Sequence, residues 1–319
     1  MLNFIVFLVG LALLAFGANQ LVDGAAALAK RLEVPNIVIG LTIVAFGTSA
    51  PELSVNLVAA IQHDTDIALG NIVGSNILNI FLILGISAIL YPLAVKSNTT
   101  WIEIPLALLS GLVILATTND RLLDAAPAST ISRADGIIYL FFFIIFLVYN
   151  FQLARSTKES DPLEVKSYST FKSLLFILLG LTLLVIGGRL MVEGAVNIAR
   201  LLGISERLIA LTIVSIGTSL PELATSVIAA RKKNTDIAIG NVVGSNIFNV
   251  FFILGLTALI SPLPIQPEAQ FDILVNILAS ILLFVFLFVG KGRRIVRWEG
   301  VLFLALYGLY LCALAGGWF

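Results

Sequence analysis

Long apolar runs alternate with short polar breaks along almost the whole chain. Ten such segments are readable, at about 2–29, 34–62, 66–92, 101–119, 132–154, 171–199, 206–230, 236–262, 270–290 and 296–316. At 1.5 Å per residue, each is long enough to cross about 30 Å of hydrocarbon as a helix. The pattern predicts an all-α polytopic membrane protein with ten transmembrane helices. The first segment has the length of a secretory leader. It has no positive n-region, however, and its apolar pattern runs past Gly17 to Leu28, so it reads as a span.

Composition agrees with this picture. Of 319 residues, 59% are hydrophobic and 12% charged, against about 25% charged in an ordinary soluble domain. A cytosolic enzyme, a disordered chain and a nucleic-acid binder are excluded; the lipid bilayer is the expected surrounding. The single cysteine, Cys312, has no partner for an internal disulfide, and the single histidine, His63, reads as a solvated loop residue. The net charge is zero, so the placement of charge carries the information. Fourteen of the nineteen Lys and Arg residues lie in the odd-numbered loops, including Lys30, Arg31, Lys96, Arg231, Lys232, Lys233, Arg293 and Arg294. The even-numbered loops hold four, Arg121, Arg133, Arg200 and Arg207, and Arg189 lies within a segment. The positive-inside rule places the odd loops in the cytoplasm of a cell, or inner, membrane and both termini outside.

The chain also contains itself twice. Residues 40–92 and 210–262 align without a gap at an offset of 170, with about 30 of 53 positions identical. Upstream, Asp23–Gly24–Ala25 matches Glu193–Gly194–Ala195. Five segments per repeat is an odd number, so the second copy enters the membrane from the opposite side. The chain therefore divides into a first five-helix repeat (1–154), a charged cytoplasmic linker (155–170) and a second, inverted five-helix repeat (171–319). Inverted repeats are typical of secondary transporters, with substrate held near the midplane where the repeats meet.

Each repeat carries a polar core. Segment two holds Thr48, Ser49, Pro51 and Glu52; segment seven holds Thr218, Ser219, Pro221 and Glu222. A charged residue at that depth costs about 2.5–3.5 kcal/mol on insertion scales, so two acids in equivalent places call for a cation or proton. On an unbroken helix Thr48 and Ser49 would share a face with Glu52. The prolines lack an N–H and free the carbonyls of Gly47 and Gly217, which is tolerated at midplane only beside a cavity or another partner. Segments three and eight add Ser75 with Asn79 and Ser245 with Asn249, each pair on one helical face, and Asn76 and Asn246 on another. Glycines 70, 74, 240 and 244 have the spacing that lets helices approach closely, here expected to pack segments two and three of each repeat. Every potential ligand is an oxygen. Such a set suits hard cations, calcium or sodium, rather than zinc or copper.

GTSAPE (47–52) and GTSLPE (217–222), each followed by GN-x-x-GSN, resemble the paired repeats of the calcium/cation antiporter superfamily. The sodium/calcium exchangers in their compact ten-helix prokaryotic form are the most similar branch. The resemblance implies a calcium site formed by Glu52 and Glu222 with backbone oxygens at Thr48 and Thr218. It implies flanking sodium sites using Ser49, Ser75, Ser219 and Ser245, with backbone oxygens at Ala45 and Ser215. Asn79 and Asn249 would border the centre. Segments one and six would be long tilted helices that slide across a rigid core. Potassium-dependent exchangers carry an acid at the position of Asn249; here both copies have Asn, which argues against potassium co-transport.

The expected function is secondary antiport of Ca2+ against Na+, with Ca2+/H+ or other cation/H+ exchange on the same fold as the alternative. A channel is disfavoured by the inverted repeat, and an intramembrane hydrolase by two near-identical polar sets with no differentiated nucleophile and base. No enzymatic activity and no cofactor beyond the transported ions are expected, and a monomer is the expected working unit. Asp23 and Glu193 are open to either a structural or a gating role. Arg189, four residues before Glu193, is expected to pair with it.

Overall fold

The apolar segments fold into helices in the order the sequence predicts. The computed structural model describes residues 2–62, 65–123, 125–156, 168–202, 215–289 and 292–316. His63 and most of the linker, 157–167, lie outside the described residues. The chain begins with α1 (Leu2–Leu32). The second span is broken into α2 (Asn36–Thr48) and α3 (Ala50–Gln62), bent by 47°. The third, α4, runs from Thr65–Leu78 through a π-helical stretch, Asn79–Leu84, into Gly85–Leu90. Then come α5 (Thr99–Thr117), a short α6 (Asp120–Leu123) and α7 (Arg133–Ser156).

The second repeat mirrors this order. It comprises α8 (Thr170–Leu201), α9 (Ser215–Gly217), α10 (Leu220–Arg231), α11 (Thr235–Ile260), α12 (Ala269–Phe286) and α13 (Arg297–Gly316). Helix α11 carries its own π-helical stretch, Phe248–Leu254. Among the described residues, eight helices are long and apolar enough to span a membrane, and the bent α2–α3 pair makes a ninth. The seventh segment is described only from Ser215 onward.

Helices α4 and α11 are largely buried, whereas α7, α8 and α13 turn apolar faces outward. Phe141, Ile144, Ile145, Leu175 and Leu178 are among the large side chains exposed there. A broad outer band of this kind suits lipid rather than water.

The long helices α1 and α8 pack antiparallel, as inversion requires, along a seam of glycines seven residues apart. Gly10, Gly17 and Gly24 on α1 meet Gly187, Gly180 and Ser173 on α8. A Cβ added at Gly17 would stand 2.9 Å from the carbonyl oxygen of Gly180, and one at Gly187 would stand 2.8 Å from the amide nitrogen of Leu14. With no side chains between them the backbones touch, which is how helices associate where no hydrophobic force distinguishes helix from lipid. At 31 and 32 residues, these helices are about 46–48 Å long, so they exceed the hydrocarbon thickness and must tilt.

Two of the four glycines that the sequence suggested for packing within a repeat, Gly240 and Gly244, act between repeats instead. Added Cβ atoms at Gly240 and Gly244 would collide with Gly40, Leu41 and Ala45 of α2. The equivalent partners of Gly70 and Gly74 fall at 210–215, almost all outside the described residues.

Among the described residues, four short strands were not expected. Strand β1 (Leu93–Ala94) pairs antiparallel with β4 (Arg294–Ile295), and β2 (Thr130–Ile131) with β3 (Leu263–Pro264). Each pairing again joins one repeat to the other. The adjacent arginines finish the same corners. Arg133 donates to the carbonyls of Leu259 (3.2 Å) and Ile260 (3.4 Å), and Arg297 to that of Ile89 (3.2 Å). These cations complement the negative ends of α11 and α4.

Candidate functional site

The two helix breaks meet at the centre of the molecule. Ser49 closes α2 with φ −82° and ψ 7°, and Ser219 has nearly the same backbone at −89° and 7°. Both prolines then sit in the first turn of the following helix, where a missing N–H does no harm. The last carbonyls of α2, at the negative end of its dipole, are left beside the break, an arrangement that suits a cation.

Thr48, Ser49, Glu52, Ser75, Asn79, Ser219, Glu222, Ser245 and Asn249 are all brought together and all buried. Their pairing differs from the same-helix faces expected from spacing. Ser219 Oγ donates to Glu52 Oε1 at 3.0 Å and lies 2.8 Å from Ser75 Oγ, which reaches the same oxygen at 3.4 Å. In the mirror image, Ser49 Oγ donates to Glu222 Oε1 at 3.0 Å and lies 3.0 Å from Ser245 Oγ, itself 3.4 Å from that oxygen. Each break therefore lends its serine to the carboxylate of the other repeat. The bend at Ser49 turns its side chain away from Glu52, which is why helical spacing misassigned the partner.

The asparagines are oriented by residues that sequence spacing had set apart. Asn79 Nδ2 donates to Asn246 Oδ1 (2.9 Å), and Asn249 Nδ2 to Asn76 Oδ1 (3.0 Å). Asn76 and Asn246 in turn each donate to the other's backbone carbonyl at 3.3 Å. With their amide nitrogens committed, Asn79 and Asn249 keep their carbonyl oxygens for the site. Both lie where the π-helical stretches widen the backbone, a feature common at functional positions.

The result is a set of acceptors without donors. Glu52 Oε2, Glu222 Oε2, Asn79 Oδ1 and Asn249 Oδ1 are buried and have no hydrogen-bond partner. Leaving such oxygens bare is costly, and more so for a carboxylate. A cation is the kind of partner that bare acceptor oxygens of this chemistry lack. Among the described residues, no third Asp, Glu, His or Cys joins the two carboxylates.

The remaining candidates lie at the edges. Ala45 is buried and its carbonyl accepts the Ser49 amide at 3.0 Å. Thr218 is half-buried, with Oγ1 3.3 Å from Asn71 Oδ1. Ser215 opens α9, and only its backbone is described. Spacing had not singled out Asn71 and Asn241. Asn241 Oδ1 accepts from Thr48 Oγ1 at 2.9 Å, and its amide donates to Ser226 Oγ (2.9 Å) and the Glu222 carbonyl (3.3 Å). The first Asn of each GN-x-x-GSN motif was the available signal.

A cavity of about 420 Å³ adjoins the breaks, with Pro51, Ser54, Arg189, Glu193, Thr218 and Pro221 in its wall. Among the described residues, the expected Arg189–Glu193 pair is not formed; ion pairs are made by Lys96 with Asp236 (2.8 Å) and Lys232 with Asp23 (2.7 Å).

Two inverted breaks, each completing the other's carboxylate around unpartnered oxygens, are the architecture of a cation transporter. The sequence matches the sodium/calcium exchanger protein family over residues 2–152 and 172–316. This chain belongs to the sodium/calcium exchanger family. The family is one of transporters, and this member is a multi-pass cation/Ca2+ antiporter. It is 34% identical to the sodium/calcium exchanger MaX1 of Methanosarcina acetivorans over 345 aligned positions, covering 98% of each chain. It is 38% identical to the inner membrane protein YrbG of Escherichia coli, over 86% of this chain and 85% of that one. Among solved structures it superposes on the sodium-calcium exchanger NCX_Mj with a TM-score of 0.82 and 36% identity, covering 98% of this chain and 99% of that one.

Proposed function

We propose that this exchanger-family protein moves Ca2+ against Na+ by alternating access, with both ions competing for one midplane cluster. The observation that carries the reading is the presence of four buried acceptor oxygens without donors, two of them carboxylate. Two carboxylates neutralise one divalent ion, and a flexible set of oxygens suits Ca2+ better than Mg2+, which holds its own waters. In this reading Glu52 and Glu222 bind Ca2+ with the backbone oxygens of Thr48 and Thr218. Ser49, Ser75, Ser219 and Ser245, with the carbonyls of Ala45 and Ser215, serve Na+. Asn79 and Asn249 border the centre of the cluster. The halves 1–154 and 171–319 are the two gates' scaffolds, and the Lys and Arg distribution puts both termini outside.

The test is calcium-45 uptake into proteoliposomes loaded with Na+ and diluted into Na+-free buffer, beside samples with K+ or a proton gradient. Uptake that requires internal Na+ and vanishes in a Glu52→Gln, Glu222→Gln double variant is the expected result. Uptake driven by protons alone moves the protein to cation/H+ exchange. The absence of Ca2+ flux under every gradient reassigns the substrate to another cation.

A further inference from the structure

The two repeats are related by inversion, yet the structure treats equivalent positions differently. Val22, Thr48 and Thr225 are buried. Their counterparts at the offset of 170 are Val192, Thr218 and Val55, and all three line the cavity. The polar links beside the breaks follow the same division. Thr48 meets Asn241 at 2.9 Å and both hydrogens of the Asn241 amide find acceptors. On the other side Thr218 meets Asn71 at 3.3 Å, and Asn71 Nδ2 has no partner. One path to the site is thus shut and the other open. The shut side leads toward Lys232 and the odd-numbered loops, the cytoplasmic face by charge distribution.

The shut side also holds an ion pair between two helices, and the equivalent pair of positions on the open side, Glu193 and Gln62, cannot form one. Lys232 Nζ, at the end of α10, lies 2.7 Å from Asp23 Oδ1 on α1 and donates to the Asn19 carbonyl at 3.2 Å. The equivalents of Asp23, Asn19 and Lys232 are Glu193, Arg189 and Gln62. The acid is present in both repeats, but the core helix on the open side ends in a neutral residue. The long helix there carries the cation instead, beside the cavity. The device is therefore one-sided.

We propose that Asp23 and Lys232 are positioning residues for transport: their ion pair fastens α1 to α10, holds the inner path shut, and must part before the site faces the cytoplasm. The inference rests on the alternating-access reading. A partly buried pair that exists in one state and not in the other biases the equilibrium by its own free energy. With about a third of each side chain exposed, at 31% and 26%, the bias is set by solvent screening as well as by the 2.7 Å contact.

The test uses the full-length protein in oriented membrane vesicles, with Cys312 replaced by Ser. Single reporter cysteines are placed at the two-fold-related positions, Val55→Cys and Thr225→Cys, and labelled with a membrane-impermeant maleimide from either side. Without further change, position 55 labels from outside and position 225 is protected from inside. Asp23→Asn and Lys232→Gln are each expected to raise inner-side labelling of position 225 by about threefold and to lower outer-side labelling of position 55. The charge swap Asp23→Lys, Lys232→Asp restores the original pattern, which a residue needed only for folding would not do. Choline chloride at high concentration, applied without any change at 23 or 232, moves labelling in the same direction and needs no gate variant to fold. Labelling of position 225 that ignores both variants and salt overturns the proposal. Calcium-45 uptake by the unsubstituted protein separates the two failures. Flux with unresponsive labelling sinks the gate alone, and responsive labelling without Na+-driven flux sinks the ion assignment alone.

Discussion

Replacing Glu52 by Gln tests the reading of the central cluster at one of its two carboxylates. The change keeps shape and leaves an oxygen to accept from Ser219 and Ser75, which now meet Glu52 Oε1 at 3.0 and 3.4 Å. What it removes is the charge at Oε2, which has no hydrogen-bond donor. Breaking one partner out of a buried charged set costs about 3–5 kcal/mol, or about 2 to 3.5 powers of ten in Ca2+ affinity. The fold itself should change far less, because the variant exchanges a bare carboxylate oxygen for an amide N–H that also lacks a partner, and those two penalties oppose each other. The assay is thermal unfolding in detergent across a Ca2+ titration. At 100 times the dissociation constant, the parent gains about 2.7 kcal/mol from the ion. A variant weakened a hundredfold gains only about 0.4 kcal/mol at the same concentration. The reasoning fails if Glu52→Gln still shows calcium-induced stabilisation at a concentration within about threefold of the parent's. It also fails if the ion-free variant is severely destabilised, since Glu52 would then be a structural acid.

Gly17→Ala is expected to lower stability by about 1–3 kcal/mol through overpacking, because the new Cβ meets the Gly180 carbonyl at 2.9 Å. Gly308→Ala, with nothing within 4 Å, should gain up to about 1 kcal/mol of helix propensity; opposite shifts in unfolding temperature check the pair. Asn241→Ala strands the groups that Asn241 now joins, namely Thr48, Ser226 and the Glu222 carbonyl. It should cost about 1–3 kcal/mol. Asn71→Ala removes an amide whose nitrogen is already unpartnered and should cost about 1 kcal/mol less. Equal losses at the two sites in unfolding measurements would contradict the asymmetry between the open and shut sides.

The sequence by itself determined the apolar spans and the family, and it set the expectations of inverted repeats, of sidedness from charge and of an oxygen-only centre. A bilayer demands long apolar helices, so segments announce themselves, and a duplicated Glu beside a duplicated Pro has no cheap place in hydrocarbon. Helical periodicity, however, reports only which residues share a face of one unbroken helix. It could not show that the bend at Ser49 sends that hydroxyl to Glu222, or that Asn76 and Asn246 commit the amides of Asn79 and Asn249 and leave their oxygens bare. Nor could it reveal that Gly240 and Gly244 face α2, that Arg133 and Arg297 close helix ends, or that the strands pair across repeats. All of these are contacts between segments far apart in the chain, and only packing chooses among them. The open side is a further step removed from the sequence. Two homologous inverted repeats admit two states related by their pseudo-two-fold axis, and tertiary packing shows Asp23 engaged by Lys232 while Glu193 lines the open cavity.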